Sequence, residues 1–295
     1  MALPADGEVS LLGLGPMGAP MAENLLRDRG ELVVWNRTAS RAGRLVARGA
    51  RRAATPAEAA GEVVLTVLPD LPEVEALLSG PGGLLEGWRS RGVARPVLVV
   101  HGTVSPVALR EFAERLEAQH GVRVVDAPMS GGVPGAQRGE LSLMVGGDQV
   151  AVESLRPVFD AVAGSVVHMG PAGSGQLAKA CNQVVVAGTI SAWCEALVMA
   201  ERHGLSRADL LDALGRGLAG SAVLEQKARR WLEAGFTGGG SARNQLKDLV
   251  FARDAAREVG APSALVELVL EQFERMVEAG DGDLDHSGLV RTLGG

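Results

Sequence analysis

Tyrosine is absent from the 295-residue chain, and aromatic residues make up only 3% of it. No tyrosine can therefore serve as a catalytic acid. Cysteine is nearly as scarce, with only Cys181 and Cys194. Two cysteines cannot build a disulfide framework. On a single helix their separation would span about 20 Å at the usual rise per residue, too far to bridge. This usage fits a reducing compartment, and a cytoplasmic location is expected. Excess positive charge is missing too. The formal net charge of -6 argues against a nucleic-acid partner, which calls for a basic stripe. Residues 1–7 lack the basic and apolar regions of a signal peptide. The one apolar run of membrane-spanning length, residues 184–200, is interrupted by Thr189, Ser191 and Glu195. It is preceded by Lys179, Asn182 and Gln183, and reads as a long helix buried in protein, so no membrane partner is expected. Low-complexity segments and tandem repeats are likewise absent. What remains is a chain with 46% hydrophobic residues, enough for a sizeable core, and long enough for about two domains.

The most informative stretch is Leu11-Leu12-Gly13-Leu14-Gly15-Pro16-Met17-Gly18. It follows a short apolar strand and opens a segment with helical spacing, so the glycines fit a G-x-G-x-x-G turn between strand and helix. In that turn Gly13 permits the bend, Gly15 admits a pyrophosphate to the backbone, and Gly18 lets the helix pack on the strand. The helix N-terminus offers N–H groups and a partial positive charge to phosphates. Three glycines at this spacing also arise by chance in a chain with 40 of them; the flanking strand and helix favour a dinucleotide site.

The next strand bears on which dinucleotide. Sites for NAD usually carry Asp or Glu about 20 residues after the glycine turn, for the ribose 2′-hydroxyl. Here Asn36-Arg37-Thr38 follows the strand. A guanidinium attracts a 2′-phosphate with fork geometry, whereas a carboxylate repels it. Asn36 and Thr38 add hydrogen-bonding groups, and Arg41 and Arg44 add nearby charge. The alternative is a solvated Arg37, with Thr38 or Ser40 capping the following helix. NADP(H) is expected over NAD(H).

Up to about residue 170, strands and helices alternate. Candidate strands are 9–12, 32–35, 63–68, 97–100, 122–126, 141–145 and 166–169, with helices such as 39–48 and 106–119 between them. Alternation of this kind predicts an α/β fold with a doubly wound, largely parallel sheet. From residue 176 to about 280 the patterns are helical, with Gly173-Ser174-Gly175 as the hinge between the two textures. The expected domains are 1–170, nucleotide-binding, and 171–295, all-helical.

Three further segments hold chemistry-bearing residues. The first, residues 126–136, starts at a strand end, where open α/β sheets place ligands. Gly131 and Gly132 can expose successive N–H groups as an anion nest, with the Ser130 hydroxyl beside them, which suits a substrate carboxylate. An ordinary Gly/Pro loop fits the spacing equally. In the second, residues 173–183, Lys179 lies in an apolar turn. Burial there lowers a lysine pKa toward neutrality, making it a usable proton donor or acceptor. Asn182 and Gln183, at i+3 and i+4, share its face. A lysine snorkelling at a helix start is the competing reading. In the third, residues 244–252, the pair Lys247-Asp248 is either a surface charge patch or an element closing over the cofactor.

Together these segments resemble the β-hydroxyacid dehydrogenase family, over residues 9–279 and with four motifs in order. Gly13–Gly18 is similar to its cofactor motif, Asp126–Gly135 to its substrate motif (with Met129 at a usually smaller position), Gly175–Gln183 to its catalytic motif, and Lys247-Asp248 to its C-terminal motif. The resemblance implies an N-terminal Rossmann domain joined by a long helix to a helical substrate and dimerisation domain. It also implies an active site in the cleft, and a homodimer or homotetramer. Lys179 corresponds to the catalytic lysine; Ser130, Gly131, Gly132, Asn182 and Gln183 to substrate contacts. Gly13, Leu14, Gly15, Pro16, Met17, Gly18, Asn36, Arg37, Thr38, Leu68, Pro69, Thr103 and Lys247 correspond to cofactor contacts. No metal is implied. Two departures stand out. Gln183 occupies the place of a second asparagine, and Val100-His101-Gly102-Thr103 replaces an Asp-Met-Ser-Thr stretch. His101 tempts as a base, but the family assigns none there, and a non-catalytic histidine near the nicotinamide is expected.

The resemblance thus implies an oxidoreductase that interconverts a small β-hydroxyacid and its aldehyde or keto acid, and Arg37 adds the expectation that it prefers NADPH. Two rivals share the fold. An imine reductase usually lacks the lysine at the Lys179 position. A non-catalytic NADP-binding sensor or assembly protein is favoured by Gln183 and Gly102 and disfavoured by Lys179 and Ser130.

Overall fold

The computed structural model describes residues 7–294. By the density of its internal contacts, the chain divides after Lys179 into two compact units.

The first unit is built on one sheet. Its strands are β1 (Val9–Leu12), β2 (Val33–Trp35), β3 (Arg51–Arg52), β4 (Val63–Thr66), β5 (Val97–Val100), β6 (Arg123–Asp126), β7 (Met129–Ser130), β8 (Leu141–Gly146) and β9 (Ala163–Gly170). The order is β3-β2-β1-β4-β5-β6-β8-β7, with β9 beside β8. β1 to β6 run parallel; β8 is antiparallel to β6 and β7 and parallel to β9. The order reverses at β1, the switch point where doubly wound folds bind ligands. The helices are α1 (Gly18–Arg29), α2 (Gly43–Val46), α3 (Leu71–Leu78), α4 (Leu84–Arg91), α5 (Pro106–His120), α6 (Gly132–Arg138), α7 (Gln149–Ser154) and α8 (Arg156–Asp160). A sheet covered on both faces needs apolar residues at every strand position, and β5 shows this. Val97 and Val99 join the core that contains Met21, Leu25 and Leu26 of α1, while Leu98 and Val100 join the core under Leu109, Phe112 and Leu116 of α5.

Four details depart from the sequence pattern. β3 is two exposed arginines with no apolar signature, and β7 lies inside a stretch whose spacing also fits a loop. The 39–48 helix is a 3-10 turn, Ala39–Ala42, followed by the single turn of α2. The expected hinge is helical. Gly173 has φ 90°, but Ser174 and Gly175 lie in the first turn of α9 (Ser174–Arg202). A Cβ on Gly175 would sit 2.3 Å from the Met144 carbonyl oxygen, so this glycine serves close packing rather than flexibility.

The second unit contains the rest of α9, α10 (Arg207–Gly215), α11 (Ala222–Glu233), α12 (Ala242–Glu258), α13 (Ala264–Met276) and α14 (Leu289–Gly294). An isolated bridge between Ser241 and Asp285 is its only β pairing among the described residues. Ala187, Ile190, Trp193, Cys194 and Leu197 recur at helical spacing and pack with Trp231, Leu249, Phe273 and Met276. α9 is long and apolar enough to cross a membrane, yet this face of it lies in a protein core. Both cysteines are free thiols; burial pushes Cys194 up to about 12.

Candidate functional site

Five parallel strands end in register. Leu12 pairs with both Trp35 and Thr66, Thr66 with Val100, and Val100 with Asp126. The residues that follow, Gly13, Asn36, Val67, His101 and Ala127, therefore line one edge of the sheet.

At the switch point the glycines divide by role. Gly13 has φ 102°, and a Cβ there would lie 2.4 Å from the Val67 carbonyl oxygen. A Cβ on Gly18 would lie 1.9 Å from the Gly13 carbonyl oxygen. Packing thus requires both. Gly15 would meet nothing within 4 Å, which leaves its backbone open to a ligand. α1 begins without a side-chain cap and without an acidic residue in its first turn. A pyrophosphate fits such a cradle, since the N–H groups and the dipole favour an anion. Leu14 is buried, Met17 half-buried and Pro16 exposed.

Asn36 ties the turn to β2. Its Oδ1 accepts from the Leu14 N–H at 2.8 Å and its Nδ2 donates to the Thr38 carbonyl at 3.0 Å. Arg37 and Thr38 are exposed beside it. Thr38 precedes the 3-10 turn without capping it through its side chain. Arg44 is drawn to Glu23, 3.2 Å away, which also holds Arg48 at 3.1 Å. Glu23 thus engages Arg44 and Arg48, while Arg37 stays exposed at the end of β2.

Asp126 organises the other side of this edge. It is fully buried at the end of β6, and its carboxylate accepts from the N–H of Gly173 at 2.8 Å and of Gln176 at 2.7 Å. Burial raises its pKa, against the opposing pull of these backbone donors. It caps the start of α9, the helix that carries Lys179. The Gln176 side chain turns to the loop after β5. Its Oε1 accepts from the Val104 N–H at 3.0 Å, and its Nε2 donates to the Gly102 carbonyl at 2.8 Å. Thr103, half-buried, lies between those two contacts. From the other side, a Cβ on Gly102 would stand 2.0 Å from the Leu68 carbonyl oxygen. The loop is so close to Leu68, which precedes exposed Pro69, that a serine does not fit there. That accounts for Gly102.

His101 is a core residue. Its Nδ1 donates to the Ala127 carbonyl at 2.7 Å, its ring meets Phe159 edge-on at 6.3 Å, and its Nε2 has no hydrogen-bond partner among the described residues. Burial lowers its pKa to about 4, in spite of the Ala127 bond. The ring is neutral at physiological pH and is closed off from solvent.

Ser130 sits half-buried in β7, paired with Ser142. Gly131 and Gly132 have φ of 124° and 64°, which turns the chain into α6. Asn24 fixes this element by donating to the Ala136 carbonyl at 2.7 Å. Lys179 is buried on α9, one helical turn after Gln176.

In the second unit the structure brings together residues far apart in sequence. Asn182 Nδ2 donates to Gln183 Oε1 at 3.0 Å; Gln183 Nε2 donates to Asp248 Oδ2 at 2.7 Å. Lys247 Nζ lies 3.4 Å from Asp248 Oδ1 and 5.1 Å from the Phe251 ring centroid. Gln245 Oε1 is 3.0 Å from His286 Nδ1. His286 packs over Gly240, where a Cβ would stand 3.4 Å from the ring. Beside it Asp285 is fully buried and bonded to Lys227 Nζ at 2.8 Å, Ser287 Oγ at 2.6 Å and the Gly240 N–H at 3.2 Å. Burial works against its charge, but His286, Lys227 and Ser287 outweigh that and hold its pKa below the usual value.

Sequence reasoning places Asp126 and Asp248 within motifs, as the carboxylate closing an apolar strand and as half of the Lys247-Asp248 pair, without naming their partners. It does not single out Gln176, Gln245 or His286, which nothing local distinguishes from solvated polar residues.

Known proteins match both parts of the chain. A family model for the NAD binding domain of 6-phosphogluconate dehydrogenase matches residues 8–170. A second, NAD-binding of NADP-dependent 3-hydroxyisobutyrate dehydrogenase, matches residues 173–293. The chain is 32% identical over 288 residues to 2-hydroxy-3-oxopropionate reductase of Escherichia coli K12, covering 97% of each chain. It is 33% identical over 291 residues to NAD-dependent L-serine dehydrogenase of Pseudomonas aeruginosa, covering 95% of each. The structure of Mycobacterium tuberculosis 3-hydroxyisobutyrate dehydrogenase with L-serine matches with a TM-score of 0.82 at 31% identity, covering 97% of this chain and 99% of that one.

Proposed function

The chain belongs to the β-hydroxyacid dehydrogenase family, a nicotinamide-dependent oxidoreductase, and from that membership we propose that it interconverts a small β-hydroxyacid and the matching aldehyde or keto acid, with NADP(H) preferred over NAD(H). The observation that carries this reading is the placement of Lys179. It is buried one turn beyond a helix start that Asp126 holds by two N–H groups. A lysine so fixed is suited to general acid–base work. In reduction its ammonium donates a proton to the carbonyl oxygen as that oxygen becomes an alkoxide. In oxidation its neutral amine takes the hydroxyl proton. The bound nicotinamide supplies or accepts the hydride.

Ser130 and the N–H groups of Gly131 and Gly132 hold the substrate carboxylate. Asn182 orients the reacting hydroxyl. Gln183, with its amide nitrogen bonded to Asp248, supports Asn182. Gly15, the α1 N-terminus, Thr103 and Lys247 seat the cofactor. The E. coli relative is named for an aldehyde acid, which supports that substrate class. The Pseudomonas relative is named NAD-dependent, so cofactor choice rests on local side chains. Exposed Arg37, with no carboxylate beside it, supports NADP(H).

Turnover of the purified protein with NADPH, NADH and a panel of short aldehyde acids tests the reading. Expected is reduction of an acid with NADPH ahead of NADH. Reduction of cyclic imines with no activity on acids would replace it with an imine-reductase reading.

A further inference from the structure

Gln176 is held at both ends. Its backbone N–H is bonded to Asp126 at the end of β6, and its side-chain amide bridges Val104 and Gly102 in the loop after β5. One buried residue therefore couples two adjacent strand ends to the start of α9. The amide closes on both sides of Thr103: its oxygen accepts from the buried Val104 N–H, and its NH2 group donates to the part-buried Gly102 carbonyl. The Leu68 carbonyl confines the same loop from the opposite side, as the 2.0 Å approach at Gly102 shows. With its backbone fixed first, the side chain needs little further ordering to clamp the loop. This is the arrangement by which a supporting residue preorganises a binding group.

We propose that Gln176 is the positioning residue of the cofactor site: by closing on both sides of Thr103, it fixes the loop shape that nicotinamide-nucleotide binding requires. The inference rests on the reading that the dinucleotide binds at this sheet edge with Thr103 as a contact. Gln176 touches no reacting atom and acts only through the loop. Losing it frees the Gly102–Val104 backbone to leave its binding shape, so affinity falls while Lys179 keeps its chemistry.

The test is titration of NADPH into wild-type, Gln176→Met and Gln176→Glu proteins, followed by cofactor fluorescence and accompanied by thermal melts. Gln176→Met matches the length and loses both bonds. It is expected to raise the NADPH Kd at least about tenfold, as the loss of one to two buried hydrogen bonds implies. Gln176→Glu keeps an acceptor for Val104 but has no donor for Gly102, and is expected to fall between. In a Thr103→Val background the Gln176→Met effect should shrink, because the two act through one loop. A Gln176→Met protein with a lowered Tm but a wild-type Kd would make Gln176 a structural residue only and overturn the proposal. If Gln176→Met does not fold, Gln176→Glu decides by the same criterion. The titration needs no substrate, so a failure of hydroxyacid turnover leaves this result standing, and the reverse.

Discussion

The amide nitrogen of Gln183 donates to Asp248 Oδ2 at 2.7 Å, and both side chains are buried. That bond joins α9 to α12 across 65 residues of sequence. A hydrogen bond to a charged group contributes about 1.5–3 kcal/mol. Gln183→Leu should therefore lower unfolding free energy by about 1–3 kcal/mol in urea titration. An unchanged midpoint would show that the bond contributes nothing.

Gly102 should tolerate no side chain. A Cβ 2.0 Å from the Leu68 carbonyl forces one of the two loops to move. Overpacking of this kind costs about 1–3 kcal/mol. Gly102→Ala and Gly102→Ser should both lower Tm, and by similar amounts, because the Cβ rather than the hydroxyl causes the clash. A Gly102→Ser protein as stable as wild type would contradict the close approach.

His101 makes stability depend on acid. Its folded pKa of about 4 lies below its ordinary value of 6.5, so the unfolded chain binds a proton over a range where the folded chain does not. The stabilisation is whole above pH 6.5 and is lost as pH falls from there toward 4. At its fullest it amounts to about 3 kcal/mol. His101→Asn retains a donor for the Ala127 carbonyl and does not titrate. Its stability should fall less steeply than that of wild type between about pH 7 and about pH 4; parallel curves would remove His101 as the cause.

Arg37 should read the 2′-phosphate. Arg37→Ala should raise the NADPH Kd at least about tenfold and leave the NADH Kd nearly unchanged. Equal losses for both cofactors would show that the guanidinium does not contact the phosphate.

Lys179→Ala should lower kcat by at least about 10²-fold, the lower range for general acid–base catalysis, with NADPH binding nearly intact. Lys179→Arg should not restore it, since a guanidinium stays protonated and has a different reach. A Lys179→Ala protein that binds NADPH and turns over at the wild-type rate would end the proposed mechanism.

Features that depend on neighbours along the chain are legible in the sequence. The glycine turn, the β5 strand and the helix at Pro106 each declare themselves within a few residues. Gly13 and Gly18 are the exception within the motif. Their spacing is local, but what excludes a Cβ there is the Val67 and Gly13 backbone. The two-residue strands β3 and β7 are invisible in the sequence because so short a segment carries no period. Gly175 reads as a hinge because a glycine required by close packing and one required by a bend are the same letter.

Order of elements, a parallel sheet before a helical half, and the short list of polar residues within apolar stretches were determined by the sequence itself, through backbone periodicity and the cost of exposing apolar surface. Which polar groups meet was decided only by the tertiary structure. Asp126 finds the N–H of Gln176 50 residues on, Gln176 finds Gly102 74 residues back, and Gln183 finds Asp248. A buried polar group must be paired, but the requirement names no partner. The partner is whichever group the packing of strands and helices carries to within about 3 Å, and that distance is a property of the folded chain alone.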